Sequence, residues 1–220
     1  MTSVWEEYNT RCVEINLYFD FLKNEIEQNT NNTDLIKMHK ASSIIMLYNL
    51  VESTVRNAVI EIHDSINSQG VPYKNLSKEA QAIWIEFKYN KFKEKKSKDI
   101  ASQITTILED IFDVDYERYT KKNKSAGFSG NLDAKKIRES VCNKYGLNHN
   151  QRVQDNNGQL LKIKSLRNNI SHGNKSYTDA GRNLGENDLK KLRKTTILYL
   201  REFLLIVEDF ISDKKYITNN

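Results

Sequence analysis

The chain is poor in residues that break helices: one proline, Pro72, and eight glycines in 220 residues. Long helices are therefore expected. Cysteine is scarce as well. Cys12 and Cys142 stand far apart, with no CxxC spacing, which argues against a disulfide framework and against a structural zinc site. Both read as reduced, buried thiols. No apolar run approaches the roughly 20 residues of a membrane span. Met1 to Glu7 is acidic where a secretory signal would be basic, and no apolar h-region follows. The expectation is a cytoplasmic protein with no membrane partner. Gly-rich phosphate loops, HExxH and GxSxG are missing too. His39, His63 and His149 do not cluster with acids or thiols at ligand spacing. Neither a cofactor nor a metal is expected.

Helical periodicity dominates what is present. Val4, Tyr8, Cys12, Ile15, Phe19, Leu22 and Ile26 step by three or four, the stripe of an amphipathic helix. A polar run, Asn29 to Asp34, breaks it. A second helix starts near Asp34, carries Ile44, Tyr48, Val51, Val55, Ala58, Ile62 and Ile66, and stops at Gly70-Val71-Pro72. The last helix carries Leu189, Leu192, Thr196, Tyr199, Phe203, Ile206 and Phe210 and ends at Ser212. Between them, Ser77 reads as an N-cap ahead of Ile83, Trp84 and Phe87. Ile100 to Phe112 reads as a short helix, 113–131 as a loop, Leu132 to Tyr145 as a helix stopped by Gly146, and 148–158 as a polar connector. No alternating strand pattern persists. The fold class is all-α: an up-and-down bundle of four long helices with a helical insertion between the second helix and the motif helix. A single domain is expected over 1–220, its core in 1–70 and 158–214 and the insertion at about 77–150.

The formal net charge is +5 and the pI about 9.0, a mild bias towards polyanions. Lysines cluster at Lys91, Lys93, Lys95, Lys96 and Lys98, and again at Lys121, Lys122 and Lys124. These runs are either solvated helix and loop surface or phosphate contacts on a nucleic acid.

Residue types and spacing point to chemistry in one stretch, from Lys164 to Gly173. On a helix at about 100° per residue, Ile163, Leu166 and Ile170 fall within an arc of about 60°. Lys164, Arg167, Asn168, Ser171 and His172 lie on the opposite side within about 140°, so the core does not need them. Gly173 is a natural residue to end the helix, and a polar loop is expected from there to Glu186. Arg167 is a fixed cation with a fork of donors suited to phosphate. His172, in the last turn, is the candidate general base and acid. Asn168 stands one turn before it. On the second helix, Glu52 and Arg56 are four apart and can pair along it; alternatively, Asn49 or Glu52 points across the bundle at this stretch.

A cation and an imidazole without a carboxylate cluster suit RNA cleavage by the RNA's own 2′-hydroxyl. That reaction takes a base for the hydroxyl, charge stabilisation at the phosphorane and an acid for the leaving 5′-oxygen.

The run Arg167-Asn168-Asn169-Ile170-Ser171-His172 resembles the Arg, four to six residues, His signature of the HEPN ribonuclease superfamily. Leu47 to Arg56, Ser129 to Arg138, His172 to Tyr177 with Gly181-Arg182, and Phe210 to Tyr216 resemble, in the same order, its stand-alone bacterial branch named after a Microcystis protein. The resemblance implies a helical bundle, a homodimer whose motif segments face each other, and metal-independent endoribonuclease chemistry. Arg167 and His172 would be the catalytic pair, assisted by Asn168, with Lys164, Ser171, Asn49 and Glu52 as candidate substrate contacts. It also implies a toxin or abortive-infection effector of bacterial defence, with an antitoxin or inhibitory protein as partner. Where relatives regulated by nucleotidyltransferases carry a tyrosine two residues after the histidine, this chain has Asn174, and the next tyrosine is Tyr177. The alternative is a catalytically silent helical module that binds RNA, a nucleotide or a protein.

Overall fold

A computed structural model describes residues 1–28, 33–94, 131–149 and 158–218, and for 87–94 the backbone alone. Residues 29–32 of the polar run, Lys95, Lys96 and Lys98 of the first lysine run, the whole second run, the helix expected from Ile100 to Phe112, the expected loop with Gly127 and Gly130, and most of the 148–158 connector lie outside these residues.

Seven helices, and a single 3-10 turn at Tyr73–Asn75, are found among the described residues. Four are the long helix α1 (Thr2–Glu27), α2 (Thr33–Gln69), α3 (Lys78–Glu94) and α4, which has three sections. Those sections are α-helical Ala134–Ile137, a π-helical turn Arg138–Cys142 and α-helical Asn143–Tyr145. Then come α5 (Gln159–Ser171), α6 (Tyr177–Arg182) and α7 (Glu186–Ser212). Among the described residues extended pairing is confined to an isolated bridge between Leu76 and Ile217.

α1, α2, α5 and α7 form the up-and-down bundle. Met1 pairs with Glu61, Asn57 donates to Glu7 (2.6 Å) and Tyr18 bonds His39 (2.8 Å), so α2 runs against α1. Arg167 faces Glu52 while Ile170 packs with Ala41, so α5 runs against α2. Trp5 donates to Glu208 (3.2 Å) and Arg193 faces Asp20 (3.7 Å), so α7 runs against α1.

α2 is the central element. All seven stripe residues expected there are buried, and so are Ala41, Ser43, Leu47, Leu50, Thr54, Val59 and His63. Burial over more than half of its circumference is what a helix packed by neighbours on several sides shows. Each fully buried Leu or Ile contributes about 1.5–3 kcal/mol, so this helix anchors the core. The insertion joins the same core through Ile83, Trp84, Leu132, Ile137, Val141, Cys142 and Tyr145. His63 accounts for one cross-link: it bonds the Tyr145 hydroxyl (2.8 Å) inside the protein. Both cysteines are free and buried, and burial pushes both thiols up, Cys142 to about 11.

Two local expectations are corrected. The helix read as starting at Leu132 starts at Ala134, because Asp133 is its N-cap and accepts from the Lys136 N–H (2.8 Å). Leu132 and Asp133 thereby meet α2 and α5, through Tyr48 and Lys164. The loop expected over 173–186 contains α6, started by Ser176, whose hydroxyl accepts from the Asp179 N–H (3.1 Å). Its apolar side is only Ala180 and Gly181, too short a pattern for periodicity to show.

Candidate active site

α5 is a three-turn helix whose apolar residues behave as the periodicity predicts. Leu160, Ile163 and Ile170 are buried and Leu166 is partly buried against the core. The helix ends at Ser171; His172 caps it and Gly173 turns the chain in the left-handed region (φ 71°). This conformation is cheap for glycine and strained for other residues. It lets Gly173 N–H reach the Ile170 carbonyl (3.1 Å) and Lys175 N–H the Asn169 carbonyl (3.1 Å). These bonds satisfy carbonyls that a helix end leaves open.

The polar side of α5 divides into two zones. Lys164 and Arg167 do not simply project: their side chains are 21% and 26% exposed and pack against α2 and the segment Asn131–Asp133. The Arg167 guanidinium lies over the Tyr48 ring, 4.5 Å from its centre, a stacking typically contributing about 0.5–2 kcal/mol. Its Nη2 is 4.0 Å from Glu52 Oε2, while Glu52 Oε1 accepts from Arg56 (2.9 Å). Glu52 thus does both things left open by the spacing: it pairs along α2 and it faces the motif helix. Arg167 Nη1 also donates to Asn168 Oδ1 (3.0 Å).

The second zone, Ser171 and His172, is exposed at the open end of α5. Neither side chain makes a hydrogen bond among the described residues. Asn49 is likewise exposed on α2 and outside the network. The fold therefore joins Glu52, Lys164, Arg167 and Asn168, and leaves Asn49, Ser171 and His172 on open surface.

Three further residues belong to this cluster. Asn131 accepts from Asn168 Nδ2 (2.7 Å). Leu132 is buried and donates its N–H to the Tyr48 hydroxyl (3.1 Å). Asp133 binds the Lys164 ammonium. Burial pushes the Asp133 carboxyl up, but the Lys164 ammonium and the Lys136 and Lys135 amides outweigh it and hold the group below the usual range. Burial pushes the Tyr48 phenol up, against the pull of the Leu132 N–H. Asn131, Leu132 and Asp133 lie within the Ser129 to Arg138 block, which stands out by resemblance alone; its contact with α5 links positions more than 30 apart in sequence, beyond the reach of any local pattern. Tyr48 was legible only as a member of the buried stripe.

Chemically, the site offers a fixed guanidinium backed by a ring and a carboxylate, and an imidazole at the open helix end. Among the described residues no group of three or more His, Cys, Asp or Glu could hold a metal ion, and no helix is long and apolar enough to cross a membrane. Neither a search of curated proteins nor one of solved structures gave a match. The sequence model of the MAE_28990-like HEPN family matches residues 2–216. With the match spanning almost the whole chain, and an all-α bundle presenting Arg167 and His172 at the end of one helix, this chain belongs to the MAE_28990-like HEPN family.

Proposed function

We propose that the protein is a metal-independent endoribonuclease that works as a homodimer, acting as a toxin or abortive-infection effector under control of an antitoxin or inhibitory partner. Membership of the HEPN superfamily, whose members are often ribonucleases, supports an RNA-related role. The observation that carries the finer reading is the division of α5: a held cation, Arg167, beside an exposed imidazole, His172, without a protein partner among the described residues.

In this reading Arg167 binds the scissile phosphate and stabilises the charge that builds on the phosphorane. An imidazole takes the 2′-hydroxyl proton as the 2′-oxygen attacks phosphorus. The P–O5′ bond breaks, and the leaving oxygen takes a proton from an acid. The products are a 2′,3′-cyclic phosphate and a 5′-hydroxyl. Five residues on a straight helix separate two side chains by about 140° and about 7.5 Å of rise. Arg167 packs over Tyr48 near Glu52 while His172 stands exposed past the last turn, and a second copy facing the first would supply the remaining group. Asn168 orients Arg167, while Lys164 and Ser171 border the phosphate path and Asn49 lies on the neighbouring surface of α2.

The competing reading, a silent binding module, draws on the engagement of Arg167 by Glu52 and Tyr48, which a purely structural arginine would also show. The comparison of wild type with His172→Ala separates the two. Wild type should slow growth on expression and cleave RNA in EDTA, and the variant should do neither, with a rate loss of at least about 10²-fold. Equal behaviour would sink the enzymatic reading. A strictly monomeric protein at micromolar concentration would count against the paired site.

A further inference from the structure

Asn168 has a carbonyl end and an amino end, and the two are not interchangeable beside a guanidinium. Its Oδ1 accepts from Arg167 Nη1 at 3.0 Å, and its Nδ2 donates to Asn131 Oδ1 at 2.7 Å. The two bonds run in one direction, from guanidinium to amide to amide. With Asn168 reversed, its amino group would meet the guanidinium donor to donor, and its oxygen would meet the Asn131 oxygen. The guanidinium, which can only donate, sets which end of Asn168 faces it, and the acceptor at Asn131 holds the other end in place.

We propose that Asn131 is a positioning residue for the Arg167–His172 site, acting through Asn168 to hold the plane of the Arg167 guanidinium. This rests on the reading of Arg167 as the cation that meets the scissile phosphate. The place of Asn131 is set by its two successors. Leu132 is buried and bonded to Tyr48 of α2 through its N–H. Asp133 caps α4 and binds Lys164 of α5. The two helices that anchor Asn131 are thus the two that hold Arg167: Tyr48 both supports the guanidinium and receives the Leu132 N–H. A single alignment of α2 and α5 sets the cation and its relay together. Asn131 is itself exposed, so the core does not depend on its side chain and its variants should fold.

The test compares Asn131→Ala and Asn131→Asp with wild type and His172→Ala. Aspartate keeps an acceptor for Asn168 Nδ2 whichever oxygen faces it; alanine removes the acceptor. Asn131→Ala should lose kcat by about tenfold, as expected for one lost hydrogen bond, with KM within about twofold. Asn131→Asp should restore kcat to within about threefold while raising KM, because a carboxylate beside the path repels the RNA phosphate. In ¹⁵N NMR, the Asn168 side-chain amide and the Arg167 Nε–H should shift in Asn131→Ala and return towards wild type in Asn131→Asp. Unmoved Arg167 signals in Asn131→Ala overturn the relay whatever the rates do, and so does an Asn131→Asp protein as impaired in kcat as the alanine variant. If wild type and His172→Ala are equally inert on RNA, the ribonuclease reading fails on its own, and the NMR comparison still decides whether Asn131 positions Arg167.

Discussion

At the scale of the residue, the telling group is Glu52. If Arg167 meets the scissile phosphate as proposed, the neighbouring Glu52 carboxylate would repel RNA in place of binding it. Its Oε1 accepts from Arg56 at 2.9 Å and its Oε2 lies 4.0 Å from Arg167, so both guanidiniums feel its charge. Glu52→Gln keeps the shape and removes the charge. The pair is partly exposed, so the stability cost should be small, about 1 kcal/mol or less. Removing one negative charge from the site should tighten binding of a non-cleavable 2′-O-methyl RNA by roughly two- to fivefold at low salt, with the gain shrinking as salt is added. Fluorescence anisotropy across a salt series checks this. Weaker binding by the glutamine variant would instead mean that RNA needs the carboxylate, directly or through Arg167.

At the scale of the element, the short α6 is placed by one glycine. A Cβ on Gly181 would stand 1.9 Å from the Lys37 carbonyl oxygen, which is backbone of α2 and cannot swing aside. α6 can lie this close only without that atom. Its neighbour Ala180 packs with Ala41 and Ile170, the last buried residue of α5 before His172. Gly181→Ala should therefore push α6 off α2, at about 2–3 kcal/mol for overpacking, and lower Tm by roughly 5–10 °C for a chain of this size. It should also loosen the end of α5 and so reduce any RNA cleavage. Asn183→Ala, on an exposed position one residue past α6, should leave Tm within about 1–2 °C. Thermal denaturation of both variants makes the check, and equal Tm values would show that α6 yields without cost.

At the scale of the whole molecule, the insertion is tied to the bundle by a titratable group. His63 of α2 is buried against Tyr145 of α4. Burial, aided by the Lys144 ammonium, lowers its pKa from 6.5 to about 4. The sign follows from proton counts. Between those values the unfolded chain binds a proton that the folded chain refuses, so folding stability rises with pH there. The contribution is complete above about pH 6.5 and is lost as pH falls towards 4, at most about 3 kcal/mol in all. Urea unfolding at pH 7.5 and pH 5 should show the difference, and the double variant His63→Leu, Tyr145→Phe should lose most of that slope. A slope unchanged in the double variant would assign the acid sensitivity to other groups.

The same molecule shows what could be read from order alone. Scarce proline and glycine, with apolar steps of three and four, determined α1, α2, α5 and α7 almost to the residue, because a helix states its buried face locally. They also marked Arg167, Asn168 and His172, since a polar side opposite an apolar stripe is a local property too, and so is the glycine that ends the helix. What the order of residues could not express is who stands opposite. Only the packed bundle decides that Tyr48 and Glu52 support Arg167, that Asn131 and Asp133 reach Asn168 and Lys164, and that Lys164 and Arg167 are held while Ser171 and His172 stay open. Those contacts join helices distant in sequence, and their partners are chosen by the geometry of a common core and not by any pattern within one helix.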